Sequence, residues 1–448
     1  MPPSTPRAPW SVGFALADIT PPLGTHLFGF GGRDRGPGCT AIHDPLQVRA
    51  VWIGAGREAT LILGFDLLFF DRGEADRIKG AIGRALDLLP RQILINCSHT
   101  HIGPVTGTWG YTGYEPLKDP AYLTDVVSAS VQASVNARQA ARPARLQFGQ
   151  TRSTLPVSRR FPTPDGKIEW RPAPEVPIYS SLPLFAFTDA RSQRPIALLF
   201  AVSCHPSTTG GTVISADYPG VARTLIDTAL GRPVSLFLQG VGGDTKPSVV
   251  ADGPADDTGR VSWRAGTWDD IRRAGEEVAG AVLQALPRLH PVRAASLKTA
   301  LAEVALPLTD VPSRQELETL RDSGATTLNR LWAVRQLNLL DRLGALPAVA
   351  PILVQSIRLN RSLHLLALEG EPVAAWGWTL EKILRPAGTV VPLGYSNGQG
   401  LYLPVETNLP EGGYEVESVY EYGFSGRRLA PGFSKPLLKT CRSFLRDR

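Results

Sequence analysis

Four apolar runs in this sequence each end abruptly in a motif rich in polar residues and glycine, and this repeated ending constrains the fold more than any other feature. The run 93–96 continues into Cys97-Ser98-His99-Thr100-His101-Ile102-Gly103-Pro104. The run 196–202 continues into Ser203-Cys204-His205-Pro206, and 234–238 into Gln239-Gly240-Val241-Gly242-Gly243-Asp244. The run 363–368 continues into Glu369-Gly370-Glu371-Pro372, whereas a fifth run, 60–65, has no such ending. All five are short enough for strands and apolar enough to be covered on both faces. In α/β folds, active sites lie beyond the carboxyl ends of strands. Four strand ends bearing His, His, Asp and Glu therefore predict one shared cleft.

Helical patterns lie between the strands, over 71–88, over 219–230 with Asp217 as its N-cap, over 268–286, and over 313–343 as one or two helices. Ser313 and Glu316 have the spacing of a capping box. Strands alternating with helices predict an α/β protein of mixed sheets flanked by helices. The stretch 156–177 mixes proline, arginine and polar residues and reads as a long loop; 287–291 reads as a second break. Neither resembles a flexible linker and no repeat is visible, so residues 1–448 are expected to form a single domain.

Bulk properties exclude several classes. Apolar residues make up 43% and charged residues 20% of 448, ordinary for a globular protein. A net charge of +6 is mild at this length, and no run of five like charges occurs. The densest basic cluster, Arg427, Arg428, Lys435, Lys439, Arg442, Arg446 and Arg448, lacks the motif that nucleic-acid binding requires. No segment gives the ~20 uncharged apolar residues of a membrane helix, and Met1-Pro2-Pro3-Ser4-Thr5-Pro6-Arg7 has no apolar core for a signal peptide. Four irregularly spaced cysteines suggest no disulfide framework. The expected location is the cytoplasm, and the expected partner a small molecule.

His99-Thr100-His101 is the sharpest local signal. In an extended segment, residues i and i+2 share a side, so both imidazoles can reach one pocket. Alone, such a pair is more often a surface or hydrogen-bonding feature. With His205 after a similar strand, a metal site becomes the better reading, since catalytic zinc takes three protein ligands of His, Asp or Glu type and leaves a position for water. Cys97 shares strand parity with the histidines, but reads as a small buried hydrophobe. Glu369 and Glu371 are equal candidates for a carboxylate ligand. Gly242-Gly243-Asp244 can present backbone N–H groups to an anion, but without a GK[ST] ending it is no nucleotide loop.

At these residues the sequence resembles the catalytic domain of the neutral/alkaline non-lysosomal ceramidases. Residues 13–20, ending Ala17-Asp18-Ile19-Thr20, resemble that family's first strand and its G-x-A-D-I-T motif. His99-Thr100-His101-Ile102-Gly103-Pro104 resembles H-T-H-S-G-P. Cys204-His205-Pro206 with Ser215-Ala216-Asp217 resembles V-H-P followed by S-S-D, and Gly370-Glu371 resembles P-G-E. Ser396-Asn397 with Tyr402 resembles S-N-x-Y-x-x-Y, and Tyr414-Glu415 follows twelve residues later, as the family's Y-E pair does. The matches keep their order from about residue 12 to about residue 430.

The resemblance implies hydrolysis of an N-acyl amide by zinc-activated water, on mixed β-sheets packed together. It implies that His99, His205, Glu371 and Tyr402 bind Zn2+, that His101 lies against the water or substrate, and that Tyr414 steadies the oxyanion. It pairs Arg159, or else Arg160, with a substrate-contacting arginine. Two departures stand out. Lys246, in Gly243-Asp244-Thr245-Lys246-Pro247, occupies the place of the family's active-site serine. The chain is also expected to lack the family's C-terminal immunoglobulin-like domain and secretion signal. Lys246 either points to solvent or meets the substrate, which is then expected to be polar or anionic rather than ceramide. The rival expectations are a zinc hydrolase or lyase acting on an ester, lactone or sugar-type substrate, and a non-catalytic protein that keeps the metal site.

Overall fold

Parallel strand pairs decide where the motifs end up. A computed structural model of the chain describes residues 10–30, 38–108, 117–292, 296–324, 326–398 and 400–445; the terminal stretch 1–7 and Arg446 and Arg448 lie outside them. All five apolar runs are strands. The larger sheet has nine. From one edge they run Ser235–Gln239, Pro195–Val202, Ser181–Asp189, Arg142–Arg152, Trp10–Asp18, Gln47–Ala55, Glu58–Phe65 and Ile93–Cys97, with His290–Val292 added beside Arg142–Arg152. Its middle is antiparallel, but both edge pairs are parallel. A five-stranded sheet orders Thr389–Leu393, Leu363–Leu368, Val349–Asn360, Lys298–Thr309 and Arg428–Leu429, with its first pair parallel.

A parallel pair needs a crossover, usually a helix. The three pairs are joined by Arg72–Leu86, Asp217–Ala229 and Ala375–Leu384. Every histidine-, glycine- or glutamate-rich motif thus lies at the carboxyl end of a strand in a βαβ unit set within an otherwise antiparallel sheet.

The two sheets pack together through Val51, Ile62, Leu94 and Leu236 on one side and Ile357, Leu365 and Val391 on the other. Alternate residues of the same strands, Leu61, Leu63, Ile93 and Ile95, face outward under the helix Arg72–Leu86, which buries Ala75, Ile78, Ile82 and Leu86. That spacing makes one apolar helix stripe. Burial on both faces explains why these strands read as continuous apolar runs.

Two expectations are corrected. The stretch 156–177 is not a loop: Pro156–Pro162 and Ile168–Ala173 form a hairpin, extended by Thr245–Pro247. Pro156 and Pro162 sit at strand ends and Pro172 at a register shift, places where a missing N–H is tolerated. Asp217 is not the N-cap of its helix but the first helical residue, at φ +55°, after Ala216. Its carboxylate instead accepts from the Thr208 N–H and hydroxyl and from the Tyr218 N–H. The region 313–343 forms two helices, Arg314–Ser323 and Thr327–Leu343, and the Ser313–Glu316 capping box is made. The break at 287–291 is a helical turn followed by the edge strand His290–Val292. Among the described residues, no helix is long and apolar enough to cross a membrane.

Candidate metal centre

The strand Ile93–Cys97 ends two residues before His99, and the chain turns there. His99 has φ +70°, so the His-Thr-His segment is not extended as its spacing suggested. A turn rather than strand parity brings the rings of His99 and His101 to 4.9 Å, edge to face. The His205 ring lies 4.9 Å from that of His99 and 5.5 Å from that of His101. The three histidines are buried, and their ligand atoms lie within 4.8 Å of one another, a group that can hold a metal ion. Glu371 arrives from the second sheet. Gly370 before it has φ +92°, and a Cβ there would meet the Leu401 carbonyl oxygen at 2.4 Å, so only glycine fits this approach. Glu371 pairs with Tyr402 across a short parallel bridge.

Hydrogen bonds fix the protonation of the site. His99 Nδ1 lies 2.9 Å from the Leu68 carbonyl oxygen, and His205 Nδ1 lies 2.7 Å from that of Gly242. A carbonyl only accepts, so each Nδ1 carries a proton and each ring turns its Nε2 inward, where a metal-binding imidazole presents its lone pair. Those lone pairs meet Glu371 Oε2 at 3.3 Å from His99 and 3.0 Å from His205. Burial, then Arg159, lowers the His205 pKa to about 4. A carboxylate facing two neutral imidazole lone pairs is repulsive unless a cation lies among them. This donor set fits a metal ion, with each Nδ1–H already oriented by a backbone carbonyl as metal-ligating histidines require.

Around this core, Tyr402 is buried, its ring 6.5 Å from that of His205. Burial raises its phenol well above the ordinary value, against the pull of Arg159. The Arg159 guanidinium lies 5.2 Å from the centre of the Tyr402 ring and 5.6 Å from that of Tyr414. Arg159 Nε donates to one oxygen of Glu415 and Arg160 Nη1 to the other, each at 2.8 Å. Arg160 also reaches Glu411, so it is engaged away from the rings that Arg159 covers. Tyr414 packs 5.3 Å from Tyr402 and remains 40% exposed, its hydroxyl 3.4 Å from Glu421.

Lys246 does not point to solvent: it is 6% exposed and donates to the Ser207 carbonyl and hydroxyl at 3.0 and 3.1 Å. Asp244, beyond the end of the strand Ser235–Gln239, is turned from the histidines and accepts from the Ala374 N–H at 2.7 Å. It steadies the start of the helix after Glu371, and burial raises its pKa to about 6. Glu369 points the other way, to Arg72 and the Leu353 N–H. Cys97 lies in the core under the first crossover helix with its thiol pushed up by burial. All four cysteines are free and buried.

Three further residues complete the site without a sequence signal of their own. The Asn96 side chain donates to the carbonyls of Gln239 and Gly394 and accepts from the Gln239 N–H, tying together three strand ends. The Tyr395 ring lies 4.4 Å from that of His99. Tyr422 donates to Glu371 Oε1 at 3.1 Å. Asn96 lies three residues before His99 and Tyr395 precedes Ser396-Asn397, so adjacency alone could have marked them. Nothing near Tyr422 could.

No protein-family model and no curated protein matches the chain. Solved structures do. A ceramidase complexed with C2 superposes with a TM-score of 0.71 at 16% identity, covering 98% of this chain and 74% of that one. The neutral ceramidase from Pseudomonas aeruginosa superposes with a TM-score of 0.70 at 17% identity, covering 97% and 73%. The chain has a neutral-ceramidase-like fold.

Proposed function

We propose that this chain is a zinc-dependent hydrolase that cleaves an N-acyl amide bond in a small molecule. The observation that carries the reading is the convergence of the His99 and His205 Nε2 lone pairs on the Glu371 carboxylate. Imidazole and carboxylate donors suit zinc, and the fold is the one on which the similar ceramidases are built. His99, His205, Glu371 and Tyr402 are assigned as the ligands. Zinc held there would supply Lewis acidity, acidifying water and polarising a carbonyl.

The chain's own residues do the rest. Burial keeps His101 neutral, and its place beside the metal centre lets it carry a proton from the water to the leaving amine. Arg159, held by Glu415, and Tyr414 face the developing oxyanion, donors worth about 3–4 kcal/mol each in comparable sites. Four free cysteines agree with a reducing compartment, and we place the protein in the cytoplasm as one unit over 1–448.

Elemental analysis tests this reading. One zinc per chain is expected, lost in His99→Ala and His205→Ala. His101→Ala is expected to keep the zinc and lose turnover of N-acyl amides; loss of zinc there would make His101 a ligand instead. Stoichiometry near zero in the parent protein would overturn the assignment.

A further inference from the structure

Lys246 is a buried cation that makes no direct ion pair among the described residues. Its ammonium has three donors, and the two hydrogen bonds it makes both go to Ser207, a neutral residue. Among the described residues, no carboxylate forms an ion pair with it. Two indole faces also lie against it, Trp170 at 5.7 Å and Trp263 at 5.6 Å, while the nearby Asp217 carboxylate, which favours its charge, is taken up by Thr208 and the Tyr218 N–H rather than by the ammonium. Aromatic faces stabilise a cation without neutralising it. Arg159 adds a second positive charge nearby, and burial together with Arg159 lowers the Lys246 pKa to about 8. Burying a charge without its partner is costly, so a built-in cation of this kind needs an occupant to complete it.

The surroundings say where that occupant lies. Lys246 is close enough to His101 to bear on its charge. Ser207 belongs to the segment after His205, and the Pro206 carbonyl accepts the His101 N–H at 3.1 Å. Trp170, 6.1 Å from Trp263, is 49% exposed, so one wall of this corner opens to solvent. The hairpin strand Ile168–Ala173 carries Trp170, and the partner strand Pro156–Pro162, which carries Arg159, is paired on its other side with Thr245–Pro247, which carries Lys246. One small sheet thus presents both cations beside the metal centre.

We propose that Lys246 recognises an oxyanion group, a carboxylate or a phosphate, carried by the substrate, with Trp170 and Trp263 walling that end of the cleft. The proposal rests on the amide-hydrolase reading for the rest of the substrate.

The test compares three lauroyl amides on the zinc-loaded full chain: N-lauroylglycine, N-lauroyl-O-phosphoethanolamine and neutral N-lauroylethanolamine. One charged member is expected to exceed the neutral one in kcat/KM by about tenfold or more, mainly through KM, as a charge-assisted hydrogen bond implies. Which charged member leads tells carboxylate from phosphate. Lys246→Met is expected to abolish the preference and Lys246→Arg to retain part of it. If the methionine variant does not fold, Trp170→Leu at the half-exposed wall is expected to reduce the preference. A neutral substrate cleaved as well as the charged ones, or a preference that survives loss of the ammonium, overturns the proposal. Separately, tryptophan fluorescence is followed while succinate or inorganic phosphate is added. A saturable change, lost in Lys246→Met and weakened by salt, is expected; no change overturns the anion site. If none of the amides is cleaved but this titration succeeds, the amide reading fails and the anion site stands.

Discussion

Glu369 and Glu371 are two residues apart and chemically alike, yet the fold sends them to opposite tasks. Glycine at 370, with positive φ, turns the chain between them. Glu371 faces two imidazole lone pairs. Glu369 is paired with Arg72 and takes the Leu353 N–H at 2.6 Å. Glu371→Gln is therefore expected to lose zinc. Glu369→Gln is expected to keep it and to destabilise the fold by about 1–3 kcal/mol, the cost of leaving Arg72 without its buried partner. Metal content and urea unfolding of the two variants check this, and zinc loss from the Glu369 variant alone would reverse the assignment. Sequence could nominate both residues because both follow an apolar strand. It could not separate them unaided, since the partner that occupies Glu369 is 297 positions away. The same distance problem hid Tyr422 and the role of Glu415, whose charge is read only once Arg159 and Arg160 are seen to share it.

At the level of elements, the site is a junction of parallel strand ends drawn from two sheets. A short backbone bridge between Asn96 and Ser396 joins those sheets there, and the Asn96 side chain reinforces it, holding Gln239 from one edge of the large sheet and Gly394 from the small one. Cys97 N–H to Tyr395 O, at 3.0 Å, extends the seam. Asn96→Ala removes three buried hydrogen bonds and leaves the Gln239 N–H without its partner, whereas the Gln239 and Gly394 carbonyls keep the Gly394 N–H and the Ser396 hydroxyl, so a loss of about 1–3 kcal/mol is expected by urea unfolding. A loss under about 1 kcal/mol, within the range of an ordinary surface change, would mean that the seam holds without it. The strands themselves were legible because burial on both faces leaves an unbroken apolar run. The hairpin 156–173 was not legible, because its residues answer to ions rather than to a core: Arg159 and Arg160 point at Glu415. Proline and arginine density mimics a loop when the strand's partner is a buried carboxylate. The His-Thr-His geometry was reached for the wrong reason, since a positive-φ turn, not an extended strand, aims both rings.

For the whole molecule, the buried titratable groups set how stability answers to alkali. Burial raises the thiols of Cys97, Cys204 and Cys441 and the phenols of Tyr122, Tyr179, Tyr218, Tyr395 and Tyr422. Burial lowers Lys79 and Lys246 to about 8. The two sets act with opposite sign. An acid whose folded pKa is raised keeps its proton in the native state after the unfolded chain has released it, so stability falls as pH climbs past the unfolded pKa. A lysine with a lowered pKa has lost its proton in the native state while the unfolded chain still holds it, so stability rises between about 8 and about 10.4. The lysines act alone only up to about pH 8.5, where the unfolded thiols begin to ionise. From there the thiols outnumber the lysines, and above about pH 10 the phenols join them, each unmatched group removing about 1.4 kcal/mol per pH unit. The expected profile is a shallow maximum near pH 8–9 followed by a fall that steepens above pH 10. Urea unfolding of the metal-chelated protein across this range separates the effect from zinc release. Lys79→Met, which removes one rising contribution far from the cleft, is expected to flatten the approach to the maximum and leave the alkaline fall in place. Stability that stays level from about pH 9 to 11 would mean that these thiols and phenols reach solvent in the folded protein, against the packing described for the core.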